Sequence, residues 1–459
     1  MEFEVTKKTP LYNALSEIGK RIYLPQGVFY WSGRAKKEAE INGTLGSAFG
    51  YEKDFIEGGT SEWVPFYLED IKNYSKLSVN EVVPYSQVAG LEELKSFWKR
   101  WIIKKSFYDK DSELGELNRL ENFTTTPVVT AGLTNGIFLC CSLFLNPGEF
   151  IISPNKRWGN YDNIIEKLIG AKIKSFDFFA EEKFNIQGLK DAIYEISKNQ
   201  EKITLILGFP NNPTGYVPYE EEMKELIDTL SQIQKDLSKP IIVLVDDAYE
   251  PYIFSDKVIK RSIFYALHEI EEDVIPIKLD GITKEMLLYG GRIGFITIGL
   301  KPHWVSNDEE LMALNTELNN KLSGLVRTTI SNSNHFYQAL VIRLFKDVGM
   351  EGLIQKRDKV KNLLKERYEK INLELGKINN SNISVDPNAG GFFVFANLNP
   401  EKISANQFAD HLLRKFKVGV IPIEKHIDNI NGIRIAYCSI DSTKIPEFVN
   451  RINLALDDF

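Results

Sequence analysis

Between about residues 84 and 330 the chain alternates short, apolar, β-branched runs with amphipathic stretches, and this alternation restricts the fold more than any other feature. PVVTA is followed by GIFLCCSLFL, EFIIS by NYDNIIEKLIG and KITLILGF by EEEMKELIDTLSQIQKDL, and IIVLVDDAY and RIGFITIG complete the series. Strand and helix in turn predict βαβ units. Runs as apolar as ITLILGF and IIVLV suit parallel strands covered on both faces, and such sheets place ligands at the carboxyl ends of their strands. Function is therefore expected in the loops that follow those strands. Beyond about residue 330 the texture changes to a polar helical stretch, GLIQKRDKVKNLLKERYEKI, then strand-like GGFFVFANL, a helix, and GIRIAYCSI. We read residues 84–330 as a large α/β domain, residues 331–459 as a smaller α+β domain, and residues 1–83 as a segment contributing to the smaller one.

A chain of 459 residues is about three times the ~150 residues of a typical domain, in keeping with that division. Apolar residues at 43% and charged residues at 26% exclude intrinsic disorder as the main state. Fifty-six Lys plus Arg face 63 Asp plus Glu, a net charge of −7 that argues against a nucleic acid or an anionic lipid surface as partner. Cys140, Cys141 and Cys438 permit neither a disulfide framework nor a C-x-x-C motif, which points to a reducing compartment. MEFEVTKKTP lacks the apolar core of a secretory signal, and the longest largely apolar stretch, Ile137 to Leu145, falls far short of the ~20 residues that span a bilayer. A cytoplasmic protein without a membrane partner is expected. The five histidines are scattered and no pair has the i, i+4 spacing of a helical metal site, so no metal is expected.

Three strand-end strings carry polar chemistry. GFPNNPTGYVP follows a buried strand, although Asn, Pro, Thr and Gly also make ordinary turns. The strand IIVLV ends in Asp246, Asp247, Ala248 and Tyr249, although carboxylates at strand ends also serve as helix caps. PIKLDGITK ends at Lys284, and Arg292 stands eight residues further in YGGRIGF. A lone lysine is ordinarily a surface charge.

Taken in order, these strings resemble the fold type I pyridoxal-phosphate enzymes, and among them the class I and II aminotransferases of the aspartate and aromatic type. YSQVAGLEELK, TAGLTNG, RWGNY, NNPTG, DDAY, the Lys284 to Arg292 spacing and GIRI follow one another as they do in that family. The resemblance implies a large domain with a mostly parallel seven-stranded sheet between helices, a smaller α+β domain, pyridoxal 5'-phosphate as cofactor, and a homodimer with shared active sites.

The resemblance also implies roles for particular residues. Lys284 would form the resting Schiff base and later act as the base at the substrate's Cα. Asp246 would keep the ring nitrogen protonated, with Asp247 the uninvolved neighbour. Tyr249 and Asn212 would hydrogen-bond the phenolic oxygen, and Trp158 would stack on the ring, with Asn160 and Tyr161 behind it. A core tryptophan is the alternative reading of Trp158. Gly132, Leu133 and Thr134, at the start of an apolar helix, would bind the phosphate with Thr283 and bidentate Arg292. Tyr85 would reach the phosphate in the partner's site.

On the substrate side, Arg434 in GIRIAY matches the arginine that takes the α-carboxylate, with Gly46 in NGTLGS a backbone contact and Trp158 and Asn212 alongside. A paired strand arginine is the plainer account of Arg434. Arg327 in LVRTTISNSNHF stands where aspartate aminotransferases bind the distal carboxylate from the neighbouring subunit, yet it could also contact phosphate or cap a helix. Gly281 and Thr283 occupy positions where the family often has two serines, so one phosphate donor is given up. Extra length lies before residue 84 and between Arg292 and Arg327, including KPHWVSNDEE. The expected reaction is ping-pong transfer of an amino group between an amino acid, acidic or aromatic, and a 2-oxo acid. β-Decarboxylases and carbon–sulfur lyases share the same cradle and are the nearest alternatives. A cofactor-binding regulator is a further one, although the first 80 residues show no winged-helix pattern.

Overall fold

The computed structural model describes residues 4–24, 27–106 and 119–459. Seven strands form the main sheet: β1 (Val128–Thr130), β2 (Phe150–Pro154), β3 (Lys172–Phe176), β4 (Ile203–Leu207), β5 (Ile241–Asp246), β6 (Val274–Gly281) and β7 (Gly294–Ile298). Their order across the sheet is β1-β7-β6-β5-β4-β2-β3. The pairs β6/β5, β5/β4, β4/β2 and β2/β3 are parallel, and β7 runs antiparallel to both of its neighbours.

The central strands are apolar throughout because helices cover both faces. Ile242 and Leu244 of β5 pack with Ile137 and Leu139 of the helix Leu133–Phe144. Ile241, Val243 and Val245, pointing the other way by the period of two, pack with Leu189, Leu226 and Leu267 from helices on the opposite face. β3 was not evident in the sequence. Its residues KIKSF are largely half-exposed, as an edge strand allows. The stretch NYDNIIEKLIG forms a short α-helix, Asn160–Asp162, that continues as π-helix over Asn163–Ile169.

A second, antiparallel sheet comprises β8 (Ile383–Val385), β9 (Val394–Leu398), β10 (Ile421–Lys425) and β11 (Ile430–Ile435), in the order β8-β9-β11-β10. Ile41–Asn42 pairs in parallel with Val418–Gly419, and Ala436 N–H donates to Gly43 O, so this N-terminal stretch lies against the second sheet. A 41-residue helical element, His335–Leu375, joins the two bodies and bends at Gly349, whose φ of +73° breaks the helix. Before the bend, Phe345 packs on Trp98 and Trp101 of the helix Glu92–Ser106. Among the described residues no helix is long and apolar enough to cross a membrane.

Candidate active site

The loops after β1, β2, β4, β5 and β6 converge on one pocket. Leu133, Thr134, Trp158, Asn212, Asp246, Tyr249, Thr283, Lys284 and Arg292 all line it. These are residues the sequence places in the site, now brought together from segments far apart in the chain.

β6 ends at Gly281, and the short helix Ile282–Glu285 that follows presents Lys284. A Cβ on Gly281 would lie 2.6 Å from Ile293 O and 2.9 Å from Gly294 Cα. Close approach of β7 therefore excludes a side chain there, which explains the missing serine. The backbone of Lys284 is held by Tyr252, whose hydroxyl donates to Lys284 O at 2.8 Å. Its Nζ stands 5.4 Å from the centroid of the Tyr249 ring. Among the described residues no carboxylate forms an ion pair with it. Burial lowers the Lys284 ammonium to about 8; Asp246 opposes the shift and Arg292 reinforces it.

Asp246 closes β5 with one oxygen accepting from Ala248 N–H at 3.2 Å and the other from the Tyr161 hydroxyl. Burial pushes its pKa above the ordinary range, and these two hydrogen bonds restrain the rise. Asp247 points to the other face of the sheet, where it meets Lys278 and Ser262. Only Asp246 of the pair lines the pocket.

At the end of β1, Gly132 has φ +84° and caps the helix Leu133–Phe144. A Cβ there would lie 2.8 Å from Arg292 Nη2, so both the backbone and the guanidinium require glycine. Arg292 itself holds φ +51°, a left-handed conformation disfavoured for arginine. Free N–H groups at a helix start, beside a guanidinium, make a ready anion site.

Arg434, on β11, is buried, with Nη1 donating to Asn212 Oδ1 and Nη2 to Thr44 O, both at 3.3 Å. Its guanidinium lies 4.2 Å from the centroid of Phe393, while Nε has no partner. Among the described residues no carboxylate pairs with it. Gly46 lies nearby, where a Cβ would sit 3.8 Å from Phe393 Cζ. Gly132, Gly46 and Arg434 do not themselves line the pocket; Gly132 adjoins it through Arg292 and Arg434 through Asn212. Two further expected residues lie away from it within one chain: Tyr85 is 90% exposed, and Arg327 is exposed and donates to Ser331 Oγ.

Sequence reasoning missed Phe393 beneath Arg434 and the Thr44 carbonyl beside it, and set Tyr161 behind Trp158 although it lines the pocket and bonds Asp246 directly. GGFF read only as the start of a strand, and a backbone carbonyl leaves no signature in a sequence. Tyr161 opens the turn after Trp158, with its N–H donating to Trp158 O at 3.0 Å and the two ring centroids 5.6 Å apart.

Residues 114–452 match the family model described as aminotransferase class I and II. The chain is 27% identical over 394 residues to an aspartate aminotransferase of Pyrococcus horikoshii, covering 85% of this chain and 87% of that protein. It is 22% identical over 396 residues to aromatic-amino-acid aminotransferase 2 of Thermococcus litoralis, covering 85% and 88%. In fold it is similar to an aminotransferase of Anaerococcus prevotii, with a TM-score of 0.77 at 23% identity, covering 96% of this chain and 98% of that one. It is likewise similar to a Pyrococcus horikoshii kynurenine aminotransferase solved with PMP, with a TM-score of 0.75 at 17% identity and 98% of each chain covered. With a family match over well more than half of its length, this chain belongs to the class I and II aminotransferases.

Proposed function

We propose that the protein is a pyridoxal-phosphate aminotransferase that moves an amino group between an amino acid and a 2-oxo acid, working as a homodimer with shared sites. An acidic donor, aspartate or glutamate, is favoured through Arg327, and an aromatic donor is the nearest alternative. The observation that carries this reading is Arg434, a buried guanidinium with no carboxylate of the protein's own, bonded to Asn212, which lines the same pocket as an unpaired lysine amine. An amino acid supplies the missing carboxylate.

The residues present fit the cofactor. The Gly132 turn, the first N–H groups of its helix, Thr134, Thr283 and Arg292 suit a phosphate dianion. Asp246 suits a protonated ring nitrogen, and Tyr249 and Asn212 suit an anionic oxygen. When bound, pyridoxal phosphate supplies a sink for the electron pair left on Cα. Lys284 anchors the cofactor, and its Nζ, with its pKa lowered to about 8, is the base for the Cα proton. Tyr161 favours the ionised form of Asp246 by donating to it, against the rise that burial causes. Arg434 orients the substrate by its α-carboxylate, with Asn212 fixing the guanidinium.

The exposed positions of Tyr85 and Arg327 support a second chain completing each site. A cytoplasmic location belongs to the same proposal, supported by three free thiols. The test is steady-state kinetics with a panel of amino acids and 2-oxoglutarate, joined to borohydride trapping. Ping-pong kinetics and cofactor fixed covalently to the wild type but not to Lys284→Ala are expected. Turnover and trapping unchanged in that variant would remove Lys284 from the mechanism.

A further inference from the structure

Arg434 belongs to the second sheet, whereas Trp158 and Lys284 belong to the first. A substrate held by its carboxylate at one and reacting at the other needs the two bodies fixed to a fraction of an ångström. The residues immediately before Trp158 make that connection. After β2 the chain runs Asn155, Lys156, Arg157, Trp158, and each of the first three reaches the second sheet.

Lys156 Nζ lies 2.8 and 2.7 Å from the two oxygens of Asp386, which follows β8, and 2.8 Å from Asn397 Oδ1 on β9. It also sits 5.0 Å from the ring centroid of Phe395. Phe395 is the register partner of Arg434 in the β9/β11 pair. Arg157 bridges Asp162 at 2.7 Å and Asp428 at 3.0 Å, and Asn155 Nδ2 donates to Asp428 O at 3.0 Å. Asp428 lies in the turn that leads into β11. Asn211, which precedes the Asn212 that holds Arg434, donates to Lys156 O at 3.4 Å.

These are buried charges. Lys156 and Asp386 are 12% and 6% exposed, and Arg157 and Asp428 are 6% and 7% exposed. Apolar side chains of similar volume would join the two surfaces at least as firmly, because desolvation offsets most of what such pairs gain. What ion pairs add is direction: each fixes one register, where apolar packing tolerates sliding.

We propose that Lys156 and Arg157 are positioning residues for the substrate carboxylate, locking the β9/β11 strand pair that bears Arg434 to the loop that bears Trp158. The inference rests on Arg434 as the carboxylate binder. Neither residue touches substrate; both act through the placement of Arg434.

The test uses holoenzyme carrying Lys156→Met, Lys156→Arg or Asp386→Asn, with Arg434→Leu as the reference. Maleate and 3-phenylpropionate, carboxylates that cannot transaminate, serve as binding probes read from the absorbance of the bound cofactor. Lys156→Met is expected to weaken probe binding and raise KM by about ten- to a hundredfold, the size of an ~1 Å misplacement. It should leave cofactor affinity little changed, and Lys156→Arg should restore most of the loss. Adding Asp386→Asn to Lys156→Met should cost little more than either change alone. A lower melting temperature with unchanged KM and probe affinity overturns the proposal, as does equal loss of cofactor affinity. Arg434→Leu separates the two readings: if it leaves probe binding intact, the carboxylate assignment fails. If it abolishes binding while Lys156→Met does nothing, only the positioning role fails. Should Lys156→Met not fold, Asn397→Ala and Asp386→Asn carry the same comparison.

Discussion

Tyr161 donates its phenolic hydrogen to Asp246, tying the helical turn after Trp158 to the end of β5. Burial raises the Asp246 pKa and this bond lowers it, so the state of a carboxylate that lines the pocket depends on a tyrosine from another loop.

Tyr161→Phe removes the restraint, and the Asp246 pKa should rise further. If Asp246 must be ionised for turnover, as its proposed role requires, the acid limb of the pH profile of kcat should move to higher pH. Loss of a hydrogen bond to a charged group, ~1.5 kcal/mol, corresponds to a shift of that limb by about one pH unit. A profile superimposable on the wild type would show that Asp246 is tuned without this tyrosine.

Lys284 gives a stability prediction with a defined sign. Folding lowers its pKa from 10.5 to about 8, so the folded apoprotein is penalised for the ammonium below about pH 8, and the penalty vanishes once both states are neutral above 10.5. Lys284→Met should therefore raise the melting temperature of the apoprotein at pH 7 by a few degrees. The gain should fade as pH rises through this window. Thermal melts across pH 6 to about 11 check it, and a gain that grows with pH contradicts the assignment.

Gly132→Ala would force an alanine into a left-handed conformation and drive its Cβ into Arg292. Conformational strain alone costs about 1 kcal/mol, and displacement of the guanidinium adds to it. Phosphate binding should suffer most. Cofactor affinity, measured by titrating apoprotein, is expected to fall more than about tenfold. Retained affinity would place the phosphate elsewhere.

Arg327→Leu distinguishes donors. If the partner's Arg327 binds a distal carboxylate, kcat/KM for aspartate and glutamate should drop about a hundredfold, the loss of a ~3 kcal/mol charge-assisted contact, while aromatic donors stay within about threefold. Equal losses across the panel refute the role. Mixing Arg327→Leu with Lys284→Ala chains should restore part of the activity, because one site of each mixed dimer then holds both native residues.

Much of this was legible in the sequence for a physical reason. ITLIL and IIVLV are apolar on both faces because helices cover both, so β4 and β5 announce themselves, and the polar groups just beyond them stand out against that background. Lys284 was legible only in company, through Arg292 and the strings before it. β3 stayed hidden because an edge strand keeps lysines, and KIKSF carries two. Lys156 and Arg157 were invisible because a charged pair in a loop ordinarily faces solvent; the carboxylates that bury them, Asp386 and Asp428, lie more than two hundred residues away. Gly281 read as a lost phosphate donor, and only the spacing to β7 shows that no side chain fits there.

The reversed direction of β7 has a bearing on which length changes such a chain tolerates. Gly294 pairs with Gly281 on one side and with Thr130 on the other, so a single turn, residues 282–293, must both present Lys284 and deliver Arg292 beside Gly132. Surface loops elsewhere absorb insertions by bulging into solvent. Ile282, Glu285, Met286, Leu287 and Leu288 of this turn are buried, so an added residue finds open space at exposed Gly290, and one that instead slid β7 by a residue would carry its side chains to the opposite face. Natural variants of this protein should therefore hold the spacing from Lys284 to Arg292 more strictly than the length of an ordinary surface loop, and depart from it, where they do, beside Gly290.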